Sequence, residues 1–216
     1  QKETGAVSAT GIIMNPQTGE ILAMSSTPGF DNNKYSKSLQ ETHRIRSITD
    51  QFEPGSTFKI VTAVAALSDN KIDLVEEFNC ENGEFEYHDI KVTDHEEYGM
   101  LTLSQIIQYS SNIGVVKVIE RVGRKTLYQT SRSFGFGSLS GISLAGETVG
   151  KLKPIKKWSA VSNGQTAMGY EVGVSAIQLA VAYCAIANGG YLITPSIVRQ
   201  IINHNQDIVY AEETSI

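Results

Sequence analysis

Ser56 and Lys59 stand three residues apart in Pro54-Gly55-Ser56-Thr57-Phe58-Lys59, at the head of an apolar run that continues to Leu67. Residues i and i+3 share a helix face, so an ammonium at position 59 can reach a hydroxyl at position 56. A serine hydroxyl is a weak nucleophile until a neighbouring base takes its proton. Lysine can be that base where burial disfavours its charged form. The start of a helix adds partial positive charge beside a forming oxyanion, and the Ser56 backbone N–H is free to donate to it. The same spacing also fits a helix cap followed by a surface lysine. Against that stands the run from Phe58 onward, which has no polar face. Lys59 is then a buried cation with no carboxylate four residues to either side, a costly arrangement that calls for a role.

Ser110-Ser111-Asn112 is a second candidate. A hydroxyl and an amide two residues apart, between two helical segments, can point into one cleft, although serine and asparagine are also common in turns that merely end helices. The four histidines, His43, His88, His95 and His204, offer less. His88-Asp89 and Asp94-His95 match no metal-ligand spacing and read as polar loop. No metal or cofactor is expected.

These residues need elements to hold them. Ala6–Met14 and Glu20–Ser26 are short β-rich runs separated by Asn15-Pro16-Gln17-Thr18-Gly19, the pattern of a hairpin. Thr27–Asp50 is polar and reads as irregular. Pro54 and Gly55 mark the start of a helix that must lie inside its domain, since it is apolar around most of its circumference. Cys80–Tyr98 is acidic and loop-like, with room for a short strand pair. Thr102 is placed to cap a helix through Leu103, Ile106 and Ile107. Ser110-Ser111-Asn112 interrupts that helix, and Ile113–Val122 forms another, closed by Gly123. Lys125–Phe134 is amphipathic and helical, and positions 135–164 read as glycine-rich loop. Ser175 and Gln178 have capping-box spacing, opening a helix that stops at Gly189-Gly190. Ile197–Ile202 and Ile208–Ala211 form a closing strand pair. Strands at both ends with helices between them argue for an α+β fold.

The chain has 216 residues, enough for one domain with a sizeable core. Its net charge of -5 disfavours nucleic acid as a partner. The densest basic group, Lys151, Lys153, Lys156 and Lys157 around Pro154, reads as a solvated loop. Cys184 lies in an apolar helical run and Cys80 in a polar loop, with no metal spacing between them. Trp158 and the scattered tyrosines read as packing residues. No stretch approaches the roughly 20 apolar residues of a membrane span, and Gln1 opens directly in polar sequence, so the expectation is a cytosolic protein or a domain cut from a larger one.

Taken together, S-x-x-K at Ser56–Lys59 and the S-x-N triplet at Ser110–Asn112 are two of the three signature motifs of penicillin-binding proteins and class A β-lactamases. Other stretches resemble class B penicillin-binding proteins: Gly5-Ala6-Val7, Asn15–Met24, Phe134-Gly135-Phe136-Gly137, Leu144-Ala145-Gly146-Glu147, Gly173-Val174-Ser175 with Gln178-Leu179-Ala180, and Ala187-Asn188-Gly189-Gly190. Arg44–Asp50 is most similar to the cell-division branch. The resemblance implies a penicillin-binding protein/serine β-lactamase-like fold, with a helical core and an N-terminal hairpin belonging to an incomplete antiparallel sheet. It implies a D,D-transpeptidase in which Ser56 is the nucleophile, Lys59 its base, Ser110 a proton relay, and Asn112 a ligand of both Lys59 and the substrate amide. The implied partners are peptidoglycan stem peptides, β-lactam antibiotics, and cell-division or elongation membrane proteins. The implied location is the extracytoplasmic face of the bacterial inner membrane, with an anchor outside this chain. The third motif, Lys-Thr-Gly, does not occur. Residues 1–216 therefore read as a partial transpeptidase domain lacking the C-terminal strands, and as inactive on their own. A serine β-lactamase or β-lactam sensor, and a non-catalytic interaction module, are the alternatives.

Overall fold

The computed structural model describes residues 3–68 and 72–211, so the two chain ends fall outside it. Its contacts group into two units: residues 1–52, 137–150 and 174–216, and residues 53–136 and 151–173.

In the first unit, β1 (Ala9–Met14) and β2 (Ile21–Thr27) pair antiparallel as the hairpin pattern predicts, with a bulge between Ile13 and Met14. The Asn15 side chain accepts from Gln17 N (2.9 Å) and its carbonyl accepts from Gly19 N (2.9 Å), which closes the turn. The polar segment after β2 is more ordered than its composition suggests. It contains two 3-10 turns (Asn32–Lys37 and Gln40–His43) and the short helix α1 (Arg46–Thr49). Burial accounts for the order. Ile48, fully buried, joins Ile142, Ile177 and Val181 in a core against which Ile12, Met14, Ile21 and Met24 of the hairpin pack.

Ile177 and Val181 belong to the long helix of this unit, labelled α7 below (Ala176–Ala187). Its capping box is present. Ser175 Oγ accepts from Gln178 N (3.3 Å) and Gln178 Oε1 accepts from Ser175 N (3.0 Å). The buried Gln178 amide also donates to Ser138 O (2.6 Å) and Val149 O (3.0 Å), which ties the 137–150 loop to the helix. The closing pair, β9 (Gln200–Ile202) and β10 (Ile208–Ala211), is antiparallel and exposed along its whole length.

The second unit is the helical one. A 3-10 turn (Gly55–Phe58) leads into α2 (Lys59–Ser68), followed by α3 (Leu103–Gln108), α4 (Asn112–Val122), α5 (Arg124–Ser133) and α6 (Ser162–Ala167). Three antiparallel strand pairs complete it: β3 (Glu77–Asn79) with β6 (Met100–Thr102), β4 (Glu84–Tyr87) with β5 (Ile90–Thr93), and β7 (Lys151–Leu152) with β8 (Val172–Gly173). Helix α4 is its axis, packing on α2, α3, α5 and α6. Ile113, Val115, Val116, Val118 and Ile119 are each at most 1% exposed, so burial of their side chains is the main apolar contribution here.

Helix α6 corrects the expectation of continuous loop to residue 164. Ser162, Asn163, Gly164, Thr166 and Ala167 are buried, and Asn163 Nδ2 donates to Glu120 Oε1 (2.7 Å). Cys80 is likewise not in open loop. It is fully buried, with its Sγ near Phe78 O and the Ser111 hydroxyl (3.7 and 3.5 Å). Both cysteines are free thiols. Among the described residues, no helix is long and apolar enough to cross a membrane.

Candidate active site

All four candidate residues lie in the second unit. Ser56 occupies the 3-10 turn rather than the first turn of a regular α-helix. Gly55 is the cause. It sits at φ +54, a conformation open to glycine, and its N–H donates to Gly169 O (3.1 Å). Gly169 itself has φ +88, and a Cβ there would lie 2.0 Å from the Gly55 carbonyl oxygen, so two backbones meet where no side chain fits. The Lys59 N–H donates to Ser56 O. In a 3-10 turn residues i and i+3 eclipse, which puts the Ser56 and Lys59 side chains on one side. Phe58 anchors the turn from beneath, fully buried against Phe136 with ring centroids 5.1 Å apart. The Ser56 side is exposed.

Lys59 is 2% exposed. Its Nζ donates to Ser110 O (2.5 Å), Ser110 Oγ (3.0 Å) and Asn112 Oδ1 (2.7 Å). An ammonium has three protons, and all three are used. The direct Ser56–Lys59 hydrogen bond that the spacing predicts is not among these contacts. Burial lowers the Lys59 pKa from 10.5 to about 8, and the Asp94 charge works in the opposite direction.

Ser110 closes α3 in a Schellman arrangement, with Ser111 N donating to Ile106 O (2.9 Å) and Ser110 N to Ile107 O (3.3 Å). Glycine is usual at this position because φ is positive there. Ser110 holds φ +57, which costs a residue with a Cβ on the order of 1–2 kcal/mol. Ser111 then caps α4, its Oγ accepting from Gly114 N (2.9 Å). Asn112 donates through Nδ2 to Thr93 O (2.8 Å), so its Oδ1 is the end that faces Lys59.

Asp94 belongs to this site although nothing in its local sequence singles it out for it. Its Oδ2 accepts from Ser111 Oγ (2.6 Å), and its Oδ1 accepts from Asn112 N and from Ile113 N (3.1 Å). Gly169 was equally hidden. Both act through residues far away in the chain, which no spacing rule reaches. Among the described residues, no three His, Cys, Asp or Glu side chains form a group able to hold a metal ion.

The arrangement of a poised hydroxyl, a buried amine of lowered pKa and a second hydroxyl on that amine suits acyl transfer through a serine ester. Comparison with known proteins decides the family. The model of the penicillin binding protein transpeptidase domain matches residues 9–215. The chain belongs to that family.

Similar proteins include stage V sporulation protein D of Bacillus subtilis, 37% identical over 195 residues, or 89% of this chain and 30% of the relative. Peptidoglycan D,D-transpeptidase FtsI of Escherichia coli is 34% identical over 185 residues, or 86% of this chain and 31% of the relative. The chain therefore spans about a third of the length of these relatives. The resemblance of Arg44–Asp50 to the class B, cell-division branch agrees with them. Penicillin-binding protein 3 of Mycobacterium tuberculosis, solved with ampicillin, superposes with a TM-score of 0.86 at 27% identity, covering 98% of this chain and 47% of that one. The α+β penicillin-binding-protein fold read from the sequence is thereby established.

Proposed function

We propose that this chain carries the acylating machinery of a peptidoglycan D,D-transpeptidase working through an ester on Ser56. The observation that carries the reading is Lys59 Nζ, buried and hydrogen-bonded to Ser110 and Asn112 within one turn of Ser56. As a free amine Nζ keeps two donors, enough for Ser110 O and Asn112 Oδ1, and its lone pair is left for a hydroxyl proton. Ser56 Oγ then attacks the carbonyl between the two terminal D-alanines of a stem peptide while Lys59 takes its proton. The C–N bond breaks, and the proton reaches the departing D-alanine nitrogen through Ser110 Oγ. Asn112 orients Lys59 and hydrogen-bonds the substrate amide. An amine from a second stem attacks the ester, the new amide forms the cross-link, and Ser56 recovers its proton. A β-lactam enters the same first step and stays on Ser56. No cofactor takes part. This reading puts the protein on the extracytoplasmic face of the bacterial inner membrane, with cell-division membrane proteins as partners.

Labelling with a fluorescent penicillin tests this. The intact gene product is expected to take up one label, mapped by mass spectrometry to Ser56 and lost in Ser56→Ala. Residues 1–216 alone are expected to label about a hundred- to a thousandfold more slowly. In this family a strand bearing Lys-Thr-Gly supplies the second oxyanion donor, and that motif is not among them. Label retained in Ser56→Ala would refute the assignment, and rapid release of hydrolysed penicillin would mark a β-lactamase instead.

A further inference from the structure

We propose that Asp94 is a positioning residue of this site, the group that fixes Ser110 and Asn112 against Lys59. The inference rests on the acyl-transfer reading above. The Asp94 carboxylate binds the chain at three consecutive residues: the Ser111 hydroxyl (2.6 Å), the Asn112 amide, and the Ile113 amide (3.1 Å). A helix needs far less at its start. Ser111 already caps α4 through Gly114 N, and a cap of that kind is the usual provision. The additional bonds fall on the residues that follow Ser110.

The backbone of Ser110 is in the left-handed region, where a serine persists only if its surroundings hold it. From the α3 side it is held by ordinary helix-end bonds. From the other side it is held by Asp94. Thr93 adds the complementary grip on Asn112, accepting from its Nδ2 (2.8 Å). Residues 93 and 94 thus bind Asn112 by both its main-chain and side-chain amides, and Oδ1 has only the Lys59 direction left. One short segment at the end of β5 thereby sets two of the three acceptors of the Lys59 ammonium, Ser110 O and Oγ, through the turn and the third, Asn112 Oδ1, through the amide.

Asp94 also brings a charge. The polar groups around Lys59 from the α3–α4 turn and the start of α4 are the neutral Ser110 and Asn112, and the facing carboxylate is Asp94, whose field favours the ammonium. The titratable neighbours of Asp94 itself include Cys80 and Tyr98, both raised above their ordinary pKa chiefly by burial, so they stay neutral near pH 8; beyond Cys80 lie Lys117 and Glu81, paired with each other. Removing the Asp94 charge must therefore lower the Lys59 pKa. The free amine then survives to lower pH.

Asp94→Asn and Asp94→Ala separate positioning from simple capping, measured in the intact gene product as penicillin acylation rate against pH. Asparagine keeps the size and an oxygen acceptor for the amides but not the charge. Its plateau rate is expected within a few-fold of the parent, with the acidic limb displaced to lower pH. Alanine releases the turn, and its plateau is expected to fall about ten- to a hundredfold, because small misplacements of reacting groups carry costs of that size. Thermal melts report the folded fraction of each variant. Both variants keeping the parent's limb and plateau per folded molecule would overturn the proposal and leave Asp94 as a helix cap. Failure of the unmutated protein to acylate at Ser56 would instead bring down the reading beneath it.

Discussion

Ser56 sits in a turn whose ties leave its own hydroxyl exposed, whereas Ser110 sits in a turn where its own carbonyl and hydroxyl are bound by a side chain. Around Ser56 the ties are Gly55 N to Gly169 O, Lys59 N to Ser56 O, the Thr57 hydroxyl to Pro54 O (2.7 Å) and Phe58 packed on Phe136, and the Ser56 side is exposed. Around Ser110 the ties are the Lys59 ammonium on its carbonyl and hydroxyl, and the Asp94 carboxylate on the three residues that follow. On the proposed mechanism the two serines differ in task. A nucleophile must close on a carbonyl carbon, so its side chain stays free while its backbone is set. A proton carrier must keep its distance from the amine constant, so its whole turn is clamped, even at the cost of a left-handed serine.

This contrast can be broken at the Ser56 turn. In Gly169→Ala the new Cβ would meet the Gly55 oxygen at 2.0 Å, and φ +88 disfavours any side chain, so residues 55 and 56 must shift. Acylation by penicillin is expected to fall about a hundredfold, the scale on which a displacement of about 1 Å acts. A rate within a few-fold of the parent would show that the Ser56 turn tolerates movement and is not set by this backbone contact.

A smaller effect sharpens the other side. Tyr87 donates to Glu120 Oε1 (2.6 Å) and accepts from Gly164 N (3.3 Å), which links β4, α4 and α6 away from the Ser110 turn. Tyr87→Phe should lower stability by about 1–2 kcal/mol in urea denaturation, with acylation unchanged within twofold. A large loss of acylation would mean that packing along α4, and not the clamp at its start, holds Ser110.

What the sequence disclosed was what short range encodes. The Ser175–Gln178 capping box, the Thr102 cap, the stop at Gly123 and the hairpin turn at Asn15–Gly19 each depend on residues within a few positions, and each formed. The pairing of Lys59 with Ser110 and Asn112 was reachable only through the two motifs together, because it joins residues 51 and 53 positions apart. Helices α1 and α6 were missed because they are short and owe their form to burial, through Ile48 in one and Asn163–Gly164 in the other. Asp94 was invisible for a related reason. An aspartate after a strand has no local mark of the helix start it will bind. The expected Ser56–Lys59 bond did not appear because the ammonium finds three acceptors elsewhere.

The central claim is that Lys59 receives the Ser56 proton. The measurement closest to it is the second-order rate of penicillin acylation as a function of pH in the intact gene product. Only the free amine accepts a proton, and burial lowers the Lys59 pKa to about 8. Below that value the rate should fall roughly tenfold for each pH unit as Lys59 becomes charged, and above it the rate should level off. A rate that stays flat from about pH 6 to about pH 9 in folded protein, or that falls as pH rises through that range, would contradict a base with this pKa.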